Sequence, residues 1–293
     1  MNPATYTTYY DFEEDAVTNG PTNPPASGVT RGTGNLCTAG VADYTDADVR
    51  KSQMLRIYGA PGINSTGVLN LDKFTRKSTD YSVTWRQVVT SAGSYKNGVL
   101  MRGDTLTVGS NSSGYTQGMM AGYYLNVYND GATTQFRIYK STASRSLNMF
   151  NSSSVALSAP VGKSIWYRAS VSGTTKVTLK IEYSTDGENW NVGTVTTDEG
   201  GDFRQGATQF VWGLAASTNN FLIDDIAFEG ITYDEGVVTG IMSAEESAAG
   251  VDYEEYYDVA GRRIRPGDVS KGVIIRRSHL TDGTVKVEKI LKK

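Results

Sequence analysis

Two-residue alternation of apolar and polar positions runs through most of the first 231 residues. It is plainest in Tyr81-x-Val83-x-Trp85 and in the paired stretches around 119–128 and 134–140. A period of two marks strands whose faces meet different surroundings, and helical periodicity is scarce. The pattern predicts strands over 53–58, 81–90, 98–101, 119–128, 134–140, 164–171, 176–184, 209–216 and 221–231. Asn129-Asp130-Gly131 and Asp186-Gly187 are hairpin turns between them. Trp85, Trp166 and Trp212 fall in alternating strands and are expected in the core, whereas Trp190 follows the Asp186-Gly187 turn. The stretch 18–44 is rich in Gly, Pro, Thr and Asn and reads as ordered loop.

Composition sharpens this picture. The chain has 293 residues, with 32 glycines, 7 prolines and 18 tyrosines, which suits many short strands and tight turns. A net charge of −3 argues against a general nucleic-acid binder. No run of 18 apolar residues spans a membrane. Cys37 is the single cysteine, so no internal disulfide forms. His279 is the single histidine, which disfavours a Ser-His-Asp triad or a histidine-rich metal centre. The first residues lack a basic start and an apolar stretch, so the expectation is either a cytosolic protein or the mature form of a secreted one, and later residues favour the second.

Charge and composition change near residue 236. Residues 1–250 carry 18 basic and 24 acidic side chains, and residues 251–293 carry 10 and 7. The reading is therefore a β-sandwich over 1–235, a small-residue linker over 236–250, and a small C-terminal β module over 251–293. That module should have strands at 257–259, 272–276 and 285–290, with a turn at Thr281-Asp282-Gly283. About 40 residues bury little surface alone, so the module should dock on something or be marginal. Its residues Tyr257-Asp258, Gly261-Arg262-Arg263, Lys271-Gly272-Val273-Ile274-Ile275 and the lysines at 286, 289 and 292 resemble the C-terminal modules of secreted Bacteroidetes proteins, the group that includes type IX secretion sorting domains. The resemblance implies a secreted or cell-surface protein and a contact with secretion machinery. The tyrosine often found in that aliphatic run is missing.

The larger part opens with Tyr10-Asp11-Phe12-Glu13-Glu14 and closes with Phe221-Leu222-Ile223-Asp224-Asp225-Ile226. Together these resemble the ends of concanavalin-A-like and MAM-like jelly rolls. The resemblance implies an all-β fold, a two-sheet antiparallel jelly-roll sandwich with its first and last strands side by side. Some members hold a structural calcium there. Glu13, Asp224 and Asp225 supply the hard oxygen ligands such an ion takes. The other reading pairs these carboxylates with backbone amides and arginines.

The hairpin 123–140 carries the candidate ligand chemistry. Alternation sets Tyr124, Asn126 and Tyr128, with Gln135, Arg137 and Tyr139, opposite Leu125, Val127, Phe136 and Ile138. Flat tyrosine rings cover sugar C–H surfaces, while amides and guanidinium bond hydroxyls or uronate carboxylates. The other reading is an ordinary exposed sheet face, where tyrosine is common. Jelly-roll glycosidases need two spaced carboxylates, and no strand here alternates acids suitably. The Gln-x-His strand of jelly-roll lyases is also absent. The expected function is non-catalytic binding of a polysaccharide or other glycan. A polysaccharide lyase or glycoside hydrolase, and a protein-binding adhesin, are the alternatives.

Overall fold

A computed structural model describes residues 6–18, 20, 22, 24, 26, 29–31, 38–58, 66–71, 79–91, 95–108, 118–129, 133–142, 147–157, 160–213, 221–231, 251–257, 263–264, 272–280 and 285–292. Within them the chain is all strand, turn and bend. Two compact units are present, Met1–Asp234 and Glu235–Lys293. The linker expected over 236–250, Cys37, the Asp130-Gly131 turn, the 281–283 turn and the Gly261-Arg262 and Lys271 positions lie outside the described residues.

In chain order the first unit runs β1 (Tyr6–Tyr10), β2 (Val29–Arg31), β3 (Thr38–Thr45), β4 (Lys51–Tyr58), β5 (Thr66–Leu71), β6 (Tyr81–Val89), β7 (Tyr95–Val108) and β8 (Met120–Asn129). It continues with β9 (Thr134–Ser141), β10 (Leu147–Val155), β11 (Ser164–Ser172), β12 (Val177–Ser184), β13 (Asn191–Asp198), β14 (Ala207–Gly213) and β15 (Phe221–Ile231). One sheet has the order β13-β12-β11-β6-β15-β4-β3, and β1 also pairs with β15. The other has the order β10-β9-β8-β7-β14-β5-β2. The pairs are antiparallel, giving the sandwich that the alternation predicts, in the jelly-roll form that the resemblance implies. Tyr10 lies opposite Ile226, so the opening and closing strands are neighbours.

The core lies between the two inner faces. Trp85, Tyr167 and Phe228 enter it from the first sheet, and Tyr123, Phe136, Phe210 and Trp212 from the second. Each such burial contributes about 1.5–3 kcal/mol, so the period-two pattern fixes which face of each strand turns inward. Trp85 and Trp212 are core, as expected. Trp166 is not: Ile165, Tyr167 and Ala169 take the inner face, and parity turns Trp166 and Arg168 outward. Trp166 is half-buried, with the Arg50 guanidinium 4.9 Å over its ring, and the Arg168 guanidinium lies 4.3 Å over the ring of Trp190.

Six strands of the first unit are not among those the alternation predicts. β1 precedes the first predicted strand, β2 lies wholly and β3 mostly within the stretch read as loop, and β5, β10 and β13 have weak alternation. β10 and β13 sit at the edges of their own sheets and lie beside each other across the sandwich. Side chains close this seam of the sandwich. Asn151 Nδ2 donates to the Val195 carbonyl at 2.9 Å, and the Ser153 hydroxyl donates to the Gly193 carbonyl.

The second unit is a four-stranded antiparallel sheet of β16 (Val251–Tyr257), β17 (Arg263–Ile264), β18 (Gly272–Leu280) and β19 (Val285–Lys292), in the order β17-β16-β18-β19. Its first strand runs over Val251–Tyr257 rather than over 257–259. Glu255 faces Arg277 across the ladder, and Arg276 Nη1 lies 3.4 Å from Glu254 Oε1. Such cross-strand pairs of opposite charge stabilise a small sheet.

Candidate functional site

On the outer face of the second sheet, three strands set their side chains in rows. Lys96 on β7 is opposite Tyr128 on β8, which is opposite Gln135 on β9. The next row joins Asn126 to Arg137, and the third joins Leu100, Tyr124 and Tyr139. All six residues predicted for ligand contact therefore share one face, turned away from the sandwich core.

The face is not uniform. Tyr124 and Asn126 are 6% and 2% exposed, so they are not the open platform that parity alone suggested. Tyr124 belongs to a second apolar cluster with Val68, Leu100, Met119 and Val211, against which Tyr139 packs. The Tyr124 and Tyr139 rings stack at 6.0 Å. Asn126 Nδ2 donates to the Tyr124 hydroxyl at 2.8 Å and to the Asn97 carbonyl at 3.1 Å. Burial pushes the Tyr124 hydroxyl well above the usual phenol range, which removes it as a base at neutral pH.

The half-buried part is the row of Lys96, Tyr128 and Gln135 with Arg137 beside it. The Arg137 guanidinium lies 4.4 Å from the Tyr128 ring centroid, and Lys96 Nζ lies 5.2 Å from the same centroid. Gln135 Oε1 accepts from Arg137 Nε at 3.1 Å and from Nη2 at 2.5 Å, which fixes the guanidinium plane. Among the described residues no carboxylate pairs with Arg137. Partial burial lowers the Lys96 pKa first, and the Arg137 charge lowers it further. Two cations thus converge on one ring in a partly desolvated place, an arrangement that attracts an anionic group. Lys96 was missed in the sequence, although alternation with Tyr95, Asn97 and Val99 would have set it on the outer face.

The predicted calcium ligands have a different environment. Asp224 is buried, and its Oδ2 lies 2.5 Å from Arg86 Nη2. Asp225 Oδ2 lies 3.0 Å from Arg86 Nε, and Asp46 Oδ2 lies 3.8 Å from Arg86 Nη1. Ser52 accepts from the same guanidinium at 2.5 Å. Glu13 Oε1 instead accepts from the Gln53 backbone N–H at 3.0 Å. Among the described residues no three Asp, Glu, His or Cys side chains are grouped to hold a metal ion. The set Glu13, Asp224 and Asp225 does not fit calcium, because a guanidinium occupies the position where a cation would bind. Asp225 reaches Arg86 through a left-handed backbone (φ 51°) at an irregularity in β15, where the ladder to β6 shifts between Asp224 and Ala227.

No protein-family model matches the chain, and no curated protein matches it. Among solved structures it is similar to a legume lectin-like domain from Entamoeba histolytica, with 10% identity and a TM-score of 0.45 over 74% of this chain and 99% of that one. It is similar to an alginate lyase mutant in complex with alginate tetrasaccharide, with 11% identity and a TM-score of 0.47 over 78% of this chain and 98% of that one. The VIP36 exoplasmic/lumenal domain, in a Ca2+/Man3GlcNAc-bound form, has 11% identity and a TM-score of 0.41 over 68% of this chain and 86% of that one. No helix among the described residues is long and apolar enough to cross a membrane.

Proposed function

We propose that the outer face of the second sheet binds an acidic polysaccharide without cleaving it, in a secreted or surface-held protein whose second unit serves export or anchoring. The observation that carries this is the convergence of Lys96 and Arg137 on the Tyr128 ring, with Gln135 holding the guanidinium in place. The ring offers a flat face to a pyranose, and the cations offer charge-assisted bonds to a uronate carboxylate. Two features favour binding over cleavage. None of the six residues on the face is acidic, whereas a glycosidase needs a carboxylate pair. The Tyr124 hydroxyl is held protonated by burial, bonded to Asn126 and unsuited to proton abstraction.

The test is affinity electrophoresis in gels containing polygalacturonate, alginate or neutral galactan. The protein should be retarded by an acidic polymer, and Tyr128→Ala should weaken retention about tenfold, the worth of one stacked ring. Arg137→Ala should weaken acidic retention more than neutral retention. Absorbance from unsaturated uronates accumulating with time would overturn the non-catalytic reading, and indifference to every polymer would overturn the binding reading.

A further inference from the structure

The loop between β3 and β4 has a backbone conformation that its sequence does not favour. The Val49 N–H donates to the Asp46 carbonyl at 3.0 Å, and the Asp46 N–H donates to the Arg50 carbonyl at 3.0 Å. Asp46 Oδ1 accepts from the N–H groups of Asp48 and Arg50, at 3.0 and 2.9 Å. This is a three-residue hairpin loop whose last position is left-handed, a place that normally takes glycine. Here it is valine, at φ 63° and 81% exposed. A β-branched residue in that conformation is a genuine outlier, and its side chain gains no burial in return.

A second loop stands beside the first. The Ala47 N–H donates to the Gly162 carbonyl at 2.7 Å, and the Lys163 N–H donates to the Pro160 carbonyl at 3.1 Å. This turn presents Val161, which is 51% exposed, and exposed Pro160. Arg50, Lys51 and Lys163 surround the pair as exposed cations, with Asp48 the one exposed acid of the two loops. The base is rigid. Ser164 donates to Asp46 Oδ2 at 2.8 Å, Arg86 lies 3.8 Å from the same oxygen, and Arg50 is held over Trp166.

We infer that this tip docks the protein on an anionic lipid surface, Val49 and Val161 entering the interfacial layer while Arg50, Lys51 and Lys163 meet the headgroups. Two projecting side chains on adjacent rigid loops fit a soft layer, and the surplus of cations around them matches negative headgroups. Pre-ordering the tip spares the ordering cost on docking, and the loop already leaves Val49 81% exposed. This is independent of the glycan face, which lies on the other sheet.

The test is co-sedimentation of the whole chain with vesicles of equal parts phosphatidylglycerol and phosphatidylcholine, and with vesicles of phosphatidylcholine alone. Wild type should bind the anionic vesicles, and binding should weaken as salt is raised. Val49→Gly should weaken binding about tenfold while raising Tm by about 3 °C, because glycine relieves the left-handed strain. Val161→Ser should weaken binding without moving Tm, and Val192→Ser, at an exposed site on β13, should leave binding unchanged. Failure of wild type to sediment with anionic vesicles, or equal binding by Val49→Gly and Val161→Ser, would overturn the inference.

Discussion

Replacing Asp224 by asparagine should make the sandwich more stable at pH 8, although it removes one partner of a buried ion pair. Burial pushes the Asp224 carboxyl up to about 7, the neighbouring Asp225 charge adds to this, and the Arg86 attraction opposes it without winning. In the unfolded chain the same carboxyl has its ordinary value of 3.8. Between these values the native state holds a proton that the unfolded state has lost, so stability falls as pH rises from about 4 to about 7. The gap of roughly three pH units, at about 1.36 kcal/mol each, sets a ceiling of about 4 kcal/mol. Asparagine mimics the protonated form, leaves Asp225 on Arg86, and should recover about 2–4 kcal/mol at pH 8 and nothing near pH 4. Asp46 does not confuse this window. Burial would raise it, but bonds from Arg50, Ser164 and Asp48 hold it below the ordinary range, so its contribution is lost only on stronger acidification. Urea unfolding followed by tryptophan fluorescence is the assay, because all four tryptophans precede residue 213 and report the sandwich alone. Wild-type stability that is flat or rising between pH 5 and pH 8, or a less stable Asp224→Asn at pH 8, would refute the reasoning and show that Arg86 keeps the carboxylate charged.

Gly67→Ala should cost roughly 1–3 kcal/mol, since a Cβ there would lie 2.0 Å from Cε2 of the Trp212 indole, in a packed core. A urea midpoint equal to that of wild type would mean the indole has room to move. Deleting 251–293 should leave the sandwich with an unchanged fluorescence-detected transition and should abolish surface display in the native host. A truncated chain without a cooperative transition would show that the second unit completes the first.

The interior strands were legible where one face is apolar over several residues, as in β6, β8, β9 and β15. β10 and β13 were not, because edge strands rich in Asn, Ser and Thr bury too little to leave a period. Trp166 was misplaced because its position in an alternating strand was taken as enough, when the parity of Ile165 and Tyr167 already excluded it from the core. The candidate face was half legible. Which side chains share it follows from a period of two within β8 and β9, but how deeply Tyr124 and Asn126 sink depends on neighbouring strands. The partners that decide the chemistry are cross-strand ones. Arg86 stands opposite Asp224, and Lys96 opposite Tyr128, through registers between segments distant in sequence or separated by a hairpin. Local alternation carries no information about such registers, so a pair of aspartates resembled a metal site until the arginine beside them was seen.

The pairing of β1 with β15 has a consequence for how the sandwich can be carried. Tyr6 lies opposite Ile231, and antiparallel partners stand only about 5 Å apart. The polypeptide enters and leaves the fold through one doorway. Such a body can be grafted into a surface turn of a host protein without prising the host open, or its two ends can be joined by a short bridge and new ones cut elsewhere. A rearranged version of this kind would keep the Lys96–Tyr128–Arg137 row intact, provided the new opening avoids β7, β8 and β9. That makes the row portable as a unit.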